Sequence, residues 1–540
     1  MIAAMANHSL SDPVQAVLHR QHDNANDLLS AGLGLEGLRR RLPPPSELPN
    51  AETLRRRAIW HNWNGIACLA RDGEIWQTLF AQPVPGQEWH ALLRLADTQH
   101  AHRVMLQVPH SFNPARPRLL ALASSGSRGI YGAQALAAWG LARGYAVVNT
   151  DKACGSDWYD GDSQTAPGLD GCLTNDIRLQ AFNPGQGRAQ PGEVWIKHAH
   201  SAEHPESRWG EFVSQAIAQA WIWLAEQHAQ LGRSRLTLAA GLSNGGAAVL
   251  RAAADPAIDG VVAAAPNVYV QGSGRSFYRY AQEAALWMPL AQADRRMREV
   301  PTPLPFAQVQ QIGEQHYRAM REAGLLGGES FAQACRRALR RLRRSGWTDS
   351  GLRAARLSTT FDFWFAAMVA YTPALARLGT QEHPLGTYYC GQTESTTPAE
   401  WIRALRWSDG AGIVPGADVM IKHSLPPAER LRRVNQLLRG PLRQDLLKGL
   451  AATHCPPAPV DKPVYVLHGA DDGLIPAPFS SQPYVRRAQR MGADIQSWLL
   501  PRRPHFDAFL ALPGYGEHRE ALLPEVYRAL DSLAARLERE

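Results

Sequence analysis

From about residue 88 onward, short apolar runs alternate with stretches of helical period, and this alternation narrows the possible folds more than any other feature of the chain. The runs Arg103–Val108, Arg118–Ala123, Tyr145–Asn149, Arg235–Ala240 and Gly260–Ala265 read as strands. Between them Ala133–Arg143 and Glu211–Gln230 read as helices, the second with Phe212, Ile217, Trp221 and Leu224 near a 3.6-residue period. Strands that are apolar throughout and separated by helices predict a mostly parallel sheet covered by helices on both faces. The alternation stops near residue 275 and resumes with Pro463–Leu467 and Ile495–Leu500, before a closing helix at Leu522–Leu537. The intervening segments Phe306–Glu322, Phe331–Arg344, Phe361–Arg377 and Ala428–Leu438 are helical in pattern. The expected organisation is an N-terminal helical extension (1–85), an α/β core (86–274 and 456–540) and a helical insertion (275–455) of the kind that forms a lid or cap.

Within that frame one turn carries chemistry. Gly241-Leu242-Ser243-Asn244-Gly245-Gly246 follows the strand ending at Ala240 and opens the helical stretch Ala247–Ala254. A G-x-S-x-G sequence between strand and helix is the context of a nucleophile elbow, in which glycines let strand and helix close tightly around a strained, exposed serine. The partners such a serine needs follow in the order serine, acid, histidine. Strand Val464–Leu467 runs into His468-Gly469-Ala470-Asp471-Asp472-Gly473-Leu474-Ile475-Pro476, where Asp472 is the favoured acid and Asp471 the alternative. Strand Ile495–Leu500 is followed by His505, the candidate base; His468 reads as part of its own turn, and His454 is a rival at the insertion boundary.

An acyl-transfer site also needs donors for an oxyanion. One candidate is the Asn244 amide, next after the serine. The second should come from the glycine-rich loop Ser125-Gly126-Ser127-Arg128-Gly129, which follows strand Leu119–Ala123, with Ser127 or Arg128 favoured. The group His198, His200 and His204 beside Lys197 has metal-like residue types without a diagnostic spacing and reads as structural. The run Arg336–Arg344 reads as a solvated helix face. The cysteines Cys68, Cys154, Cys172, Cys335, Cys390 and Cys455 are scattered, with no C-x-x-C pair, which argues against a zinc ribbon or a disulfide scaffold. No metal or other cofactor is expected.

The net charge of +8 comes almost entirely from arginine, since only Lys152, Lys197, Lys422, Lys448 and Lys462 are lysine. No nucleic-acid-binding module accompanies it, so no nucleic-acid partner is expected. The most apolar stretch, Phe363–Ala376, is shorter than a membrane span and holds Pro373, so no membrane insertion is expected. Met1–Leu10 lacks the pattern of a signal peptide, which favours a cytoplasmic location, secretion being the alternative.

Three segments together resemble the D-(−)-3-hydroxybutyrate oligomer hydrolases: Ser124–Gly132, Gly241–Gly246, and the long stretch His505-Phe506-Asp507-Ala508-Phe509-Leu510-Ala511-Leu512-Pro513-Gly514-Tyr515-Gly516. Asp27–Gly34 is also similar to the N-terminal region of that family. The resemblance implies an α/β-hydrolase-like serine esterase with Ser243 as nucleophile. It implies a small-molecule oligoester substrate, cut to 3-hydroxybutyrate monomers in the breakdown of polyhydroxybutyrate. The aromatic residues Phe361, Phe363, Trp364, Phe365 and Tyr371 of the insertion are candidates for its apolar pocket. Competing expectations are a feruloyl-esterase- or tannase-like ester hydrolase, and a non-catalytic hydrolase-fold binding protein.

Overall fold

The structure is a computed structural model that describes residues 13–71, 73–185, 189–300, 302–391, 398–410, 412 and 418–539. Its centre is a nine-stranded sheet: β1 (Leu18–His22), β2 (Gly86–Leu93), β3 (His102–Pro109), β4 (Arg118–Ala123), β5 (Ala146–Thr150), β6 (Leu236–Leu242), β7 (Gly260–Ala264), β8 (Val464–Gly469) and β9 (Ile495–Leu500). The spatial order is β1-β2-β3-β5-β4-β6-β7-β8-β9. The pairs β1/β2, β2/β3 and β3/β5 are antiparallel, and every pair from β5/β4 to β8/β9 is parallel.

Side chains of the parallel strands alternate between two cores, as a pleat requires. Leu120, Leu122, Val147, Leu238 and Val262 join a core roofed by α1 (Ala51–Ile66), α2 (Gln134–Leu141) and the closing helix of the chain. Leu119, Ala121, Val148, Ala239 and Val261 join the opposite core, under α3 (Trp209–Gln227) and α4 (Asn244–Ala252). Both faces are therefore buried, which is why these strands read as unbroken apolar runs.

A third core belongs to the segment between β7 and β8. Its centre is α5 (Phe277–Gln292) and α6 (Phe363–Ala376), with Trp364, Met368 and Leu286 buried. The segment is not purely helical as expected: Thr387–Gly391 and Val419–His423 form an antiparallel pair. Trp158, Val194 and Ile196 pack into this third core, so the excursion between β5 and α3, expected within the α/β core, sides with the insertion instead. The N-terminal segment is also more than a helical extension, because Leu18–His22 adds the edge strand β1. That strand is short and polar and shows no apolar run to announce it. The sheet is completed on its outer side by α7 (Ser481–Arg490), and α8 (Leu523–Leu537) is the closing helix. Among the described residues no helix is long and apolar enough to cross a membrane.

Candidate active site

The parallel strands β4, β6, β8 and β9 all release their chains at the same carboxyl edge, and the loops that follow them build the site. After β6 the chain reverses at Ser243, whose φ of 61° and ψ of −120° lie where side-chain-bearing residues rarely sit. The turn can close only because its neighbours are bare. A Cβ at Gly241 would lie 2.3 Å from the Gly245 carbonyl, and one at Gly245 would lie 2.2 Å from the Ala123 carbonyl oxygen. The Ser243 amide donates to Ala264 at 2.9 Å, and its carbonyl accepts from Asn267 at 3.0 Å, so both neighbouring elements brace the strained residue.

Ser243 Oγ lies 2.9 Å from His505 Nε2, and His505 Nδ1 lies 2.6 Å from Asp472 Oδ2. Of the two aspartates, the acid in this row is Asp472. Asp471 points elsewhere and pairs with Arg519 at 3.4 Å. Asp472 is held by its turn: Oδ1 accepts the amides of Leu474 (2.8 Å) and Ile475 (2.7 Å), and His468 Nε2 reaches Oδ2 at 3.1 Å. Burial opposes its charge, but His505 and His468 outweigh that and hold the carboxyl well below its ordinary range. His505 is fixed through its own motif. Asp507, two residues on, caps α8 by accepting the amides of Leu522 (2.7 Å) and Leu523 (2.8 Å). His454 instead accepts the Gln271 amide and meets Arg487, away from this row.

The glycine-rich loop after β4 arranges its amides unequally. The Ser127 amide donates to Gly412 at 2.5 Å, the Arg128 amide to Ser125 at 3.1 Å, and the Ser125 amide to Gly132 at 3.3 Å. None of these three is left over for a ligand, so the expectation of Ser127 or Arg128 as donor does not survive the hydrogen bonding. The Gly126 amide has no acceptor among the described residues, and Gly126, at φ 55°, lines the cavity with Ser243, Asn244 and His505. Gly129 does not line it; a Cβ there would lie 2.4 Å from Ser156 Oγ. The Asn244 amide, at the start of α4, likewise has no acceptor among the described residues. The Asn244 side chain is fixed by Tyr371 Oη and Asn267 Nδ2, each at 2.8 Å.

The cavity has a volume of about 640 Å³. The insertion lines it with Phe361, Phe363 and Tyr371, while Trp364 and Phe365 turn into the insertion's own core. Sequence reasoning missed the opposite wall, where α1 contributes Trp60, His61 and Gly65. No local signal marks these residues; they reach the site only because α1 packs beside it. The histidine cluster is engaged elsewhere: Lys197 pairs with Asp151 and Asp157, and His200 bonds the Ile196 backbone. Cys154, His198 and Glu206 place ligand-type atoms within 4.8 Å of one another. Both His198 nitrogens are already bonded, to Ser127 and Glu206, and burial pushes the Cys154 thiol up to about 12.

The strand order, the serine at a strand–helix turn and the histidine and aspartate on the next loops of the same edge define an α/β-hydrolase fold with a serine, histidine and acid row. Residues 4–432 match the model of the 3HB-oligomer hydrolase family. The chain belongs to that family. Among its relatives are the D-(−)-3-hydroxybutyrate oligomer hydrolases of Cupriavidus metallidurans (28% identical, over 95% of this chain and 82% of that one) and of Burkholderia lata (30% identical, over 91% and 82%). Among solved structures, the rice cell wall degrading esterase LipA of Xanthomonas oryzae is 10% identical over 85% of this chain and 94% of that one, with a TM-score of 0.39.

Proposed function

We propose that this chain is a serine ester hydrolase that cuts short 3-hydroxybutyrate oligomers to monomers through an acyl-enzyme. The observation that carries this reading is the continuous hydrogen-bonded row Ser243–His505–Asp472, opening with two unengaged amides into an aromatic cavity. Membership of the 3HB-oligomer hydrolase family supports the substrate class.

In the first half-reaction Ser243 Oγ attacks the ester carbonyl carbon while His505 Nε2 takes the hydroxyl proton. Asp472 holds the Nδ1 hydrogen and offsets the imidazolium charge that develops. The carbonyl oxygen becomes negative between the Asn244 and Gly126 amides, which were oriented before the reaction began. His505 then returns the proton to the departing alkoxide, so the ester C–O bond breaks and a hydroxy acid leaves. Water repeats the cycle on the acyl-serine. Each of these steps is carried by Ser243, His505, Asp472 and the two backbone amides. The insertion, through Phe361, Phe363 and Tyr371, acts as a cap that shields the acyl-enzyme.

The test is monomer release from the D-3-hydroxybutyrate dimer and trimer by purified protein, with and without a serine-directed phosphonate. Release that the phosphonate blocks, with the label on Ser243, is the expected result. Labelling without release refutes the substrate; neither release nor labelling refutes the enzyme and leaves a binding protein.

A further inference from the structure

Arg128 is the charged group that the catalytic row leaves unexplained. Its side chain is only 7% exposed, yet it lines the same cavity as Ser243 and His505. No carboxylate lies within ion-pairing distance of it among the described residues. Its neighbours are neutral: the Gly65 carbonyl at 3.2 Å, and the Gly410 carbonyl and Asn62 Oδ1 at 3.5 Å, the outer limit of a hydrogen bond. The nearest acid on the cavity wall, Asp409, is committed to Arg57 and His61, each at 2.9 Å. Ala411 and residues 413–417, beside Gly410 and Gly412 in the chain, include no acidic residue.

Space has been kept for this group. Gly65 is the penultimate residue of α1, in its last turn, where the carbonyls have no intrahelical partner and its own accepts from Arg128. A Cβ at that position would stand 2.6 Å from both Arg128 Nη atoms. The guanidinium therefore packs on bare helix backbone. Burial alone pulls the Arg128 pKa down to about 10, so the group stays charged at neutral pH. A buried cation without a counter-ion is costly, and an entering anion relieves that cost.

We propose that Arg128 binds the terminal carboxylate of the substrate, making it the residue that selects short free-acid oligoesters over neutral esters. This rests on the substrate class proposed above. A 3-hydroxybutyrate oligomer carries one free carboxylate, and in the dimer it sits on the alcohol half that leaves. The planar fork of a guanidinium matches a carboxylate with two parallel hydrogen bonds, which an ammonium does not offer. As the ester C–O bond breaks and the alkoxide takes its proton from His505, the leaving hydroxy acid remains tethered at Arg128. Cleavage is thereby directed to the ester bond next to the carboxyl end, releasing one monomer at a time.

The test compares kcat/KM for the dimer as free acid and as methyl ester in wild type, Arg128→Gln and Arg128→Lys. The wild type should prefer the free acid by about tenfold or more, as loss of a charge-assisted hydrogen bond implies. In Arg128→Gln that ratio should fall towards one, mainly through KM for the acid, with Arg128→Lys between. A ratio near one in wild type, or one that survives in Arg128→Gln, overturns the proposal while leaving the hydrolase intact. A wild-type measurement covers variants that fail to fold: 3-hydroxybutyrate should slow phosphonate labelling of Ser243, and methyl 3-hydroxybutyrate should not. If neither dimer is cut, the substrate reading fails, and this labelling contrast alone decides whether Arg128 holds a carboxylate. Equal slowing by both compounds, or by neither, rejects it.

Discussion

Two rows of serine, histidine and carboxylate run through this molecule, side by side, and their hydrogen bonds look alike. In one, Ser243 Oγ meets His505 Nε2 at 2.9 Å and His505 Nδ1 meets Asp472. In the other, Ser127 Oγ meets His198 Nδ1 at 2.8 Å and His198 Nε2 meets Glu206. Both carboxylates are buried, and both are held below their ordinary range because neighbouring histidines outweigh the effect of burial.

The surroundings separate them. Ser243 stands in a strained conformation at the cavity, beside the unengaged Asn244 amide. Ser127, His198 and Glu206 are all absent from the wall of that cavity, and the Ser127 amide is spent on Gly412. Tyr371 sits between the rows, its ring edge-on to His198 at 4.9 Å and its hydroxyl on the Asn244 side chain. A serine bonded to a histidine is thus no nucleophile by itself. It also needs access to a carbonyl and donors for the oxyanion. The second row ties down the loop that carries Gly126 and Arg128, with Lys152 Nζ gripping the Ser124 and Gly126 carbonyls at 2.6 and 3.1 Å.

Variants that treat the rows differently break or sharpen this contrast. Ser243→Ala should lower kcat by about 10⁴-fold or more while circular dichroism and Tm stay near wild type. A loss below about tenfold would mean that the first row is not the catalytic one. Asp472→Asn comes next, with a fall of about 10³–10⁴-fold in kcat, whereas Asp471→Asn should stay within a few-fold. His198→Gln should cost about 10–100-fold in kcat by loosening the loop, yet Ser243 should still take the phosphonate label. If labelling vanished instead, the second row would have a direct part in the chemistry.

The pH dependence of stability separates Asp472 from ordinary surface acids. Its carboxyl is depressed in the folded state, so its contribution is fully present above the unfolded value of about 3.9 and is lost as pH falls below it. Asp472→Asn should therefore flatten the loss of Tm in acid. The smallest effect is expected for Ser127→Ala, about 1 kcal/mol of stability and a few-fold in rate, read from denaturant melts and kcat.

The sequence by itself determined the local pieces. Apolar runs and glycines act within a few residues, so β4, β9 and the strand–turn–helix around Ser243 were legible, as was the chain order of the serine, aspartate and histidine that the structure joins in one hydrogen-bonded row. It also revealed the family, through the long stretch His505–Gly516. Only the tertiary structure decided between Asp471 and Asp472, because the choice depends on which carboxylate meets a histidine 33 residues away. It likewise distinguished the Gly126 amide, which has no acceptor among the described residues, from that of Ser127, since an amide is available only if nothing distant accepts from it, and Gly412 accepts from Ser127. The edge strand β1, the cavity wall from α1, the second serine–histidine row and the buried Arg128, which meets no carboxylate among the described residues, share this origin. Each depends on groups far apart in the chain being brought together or kept apart, and the periodicity of a short segment carries no record of that.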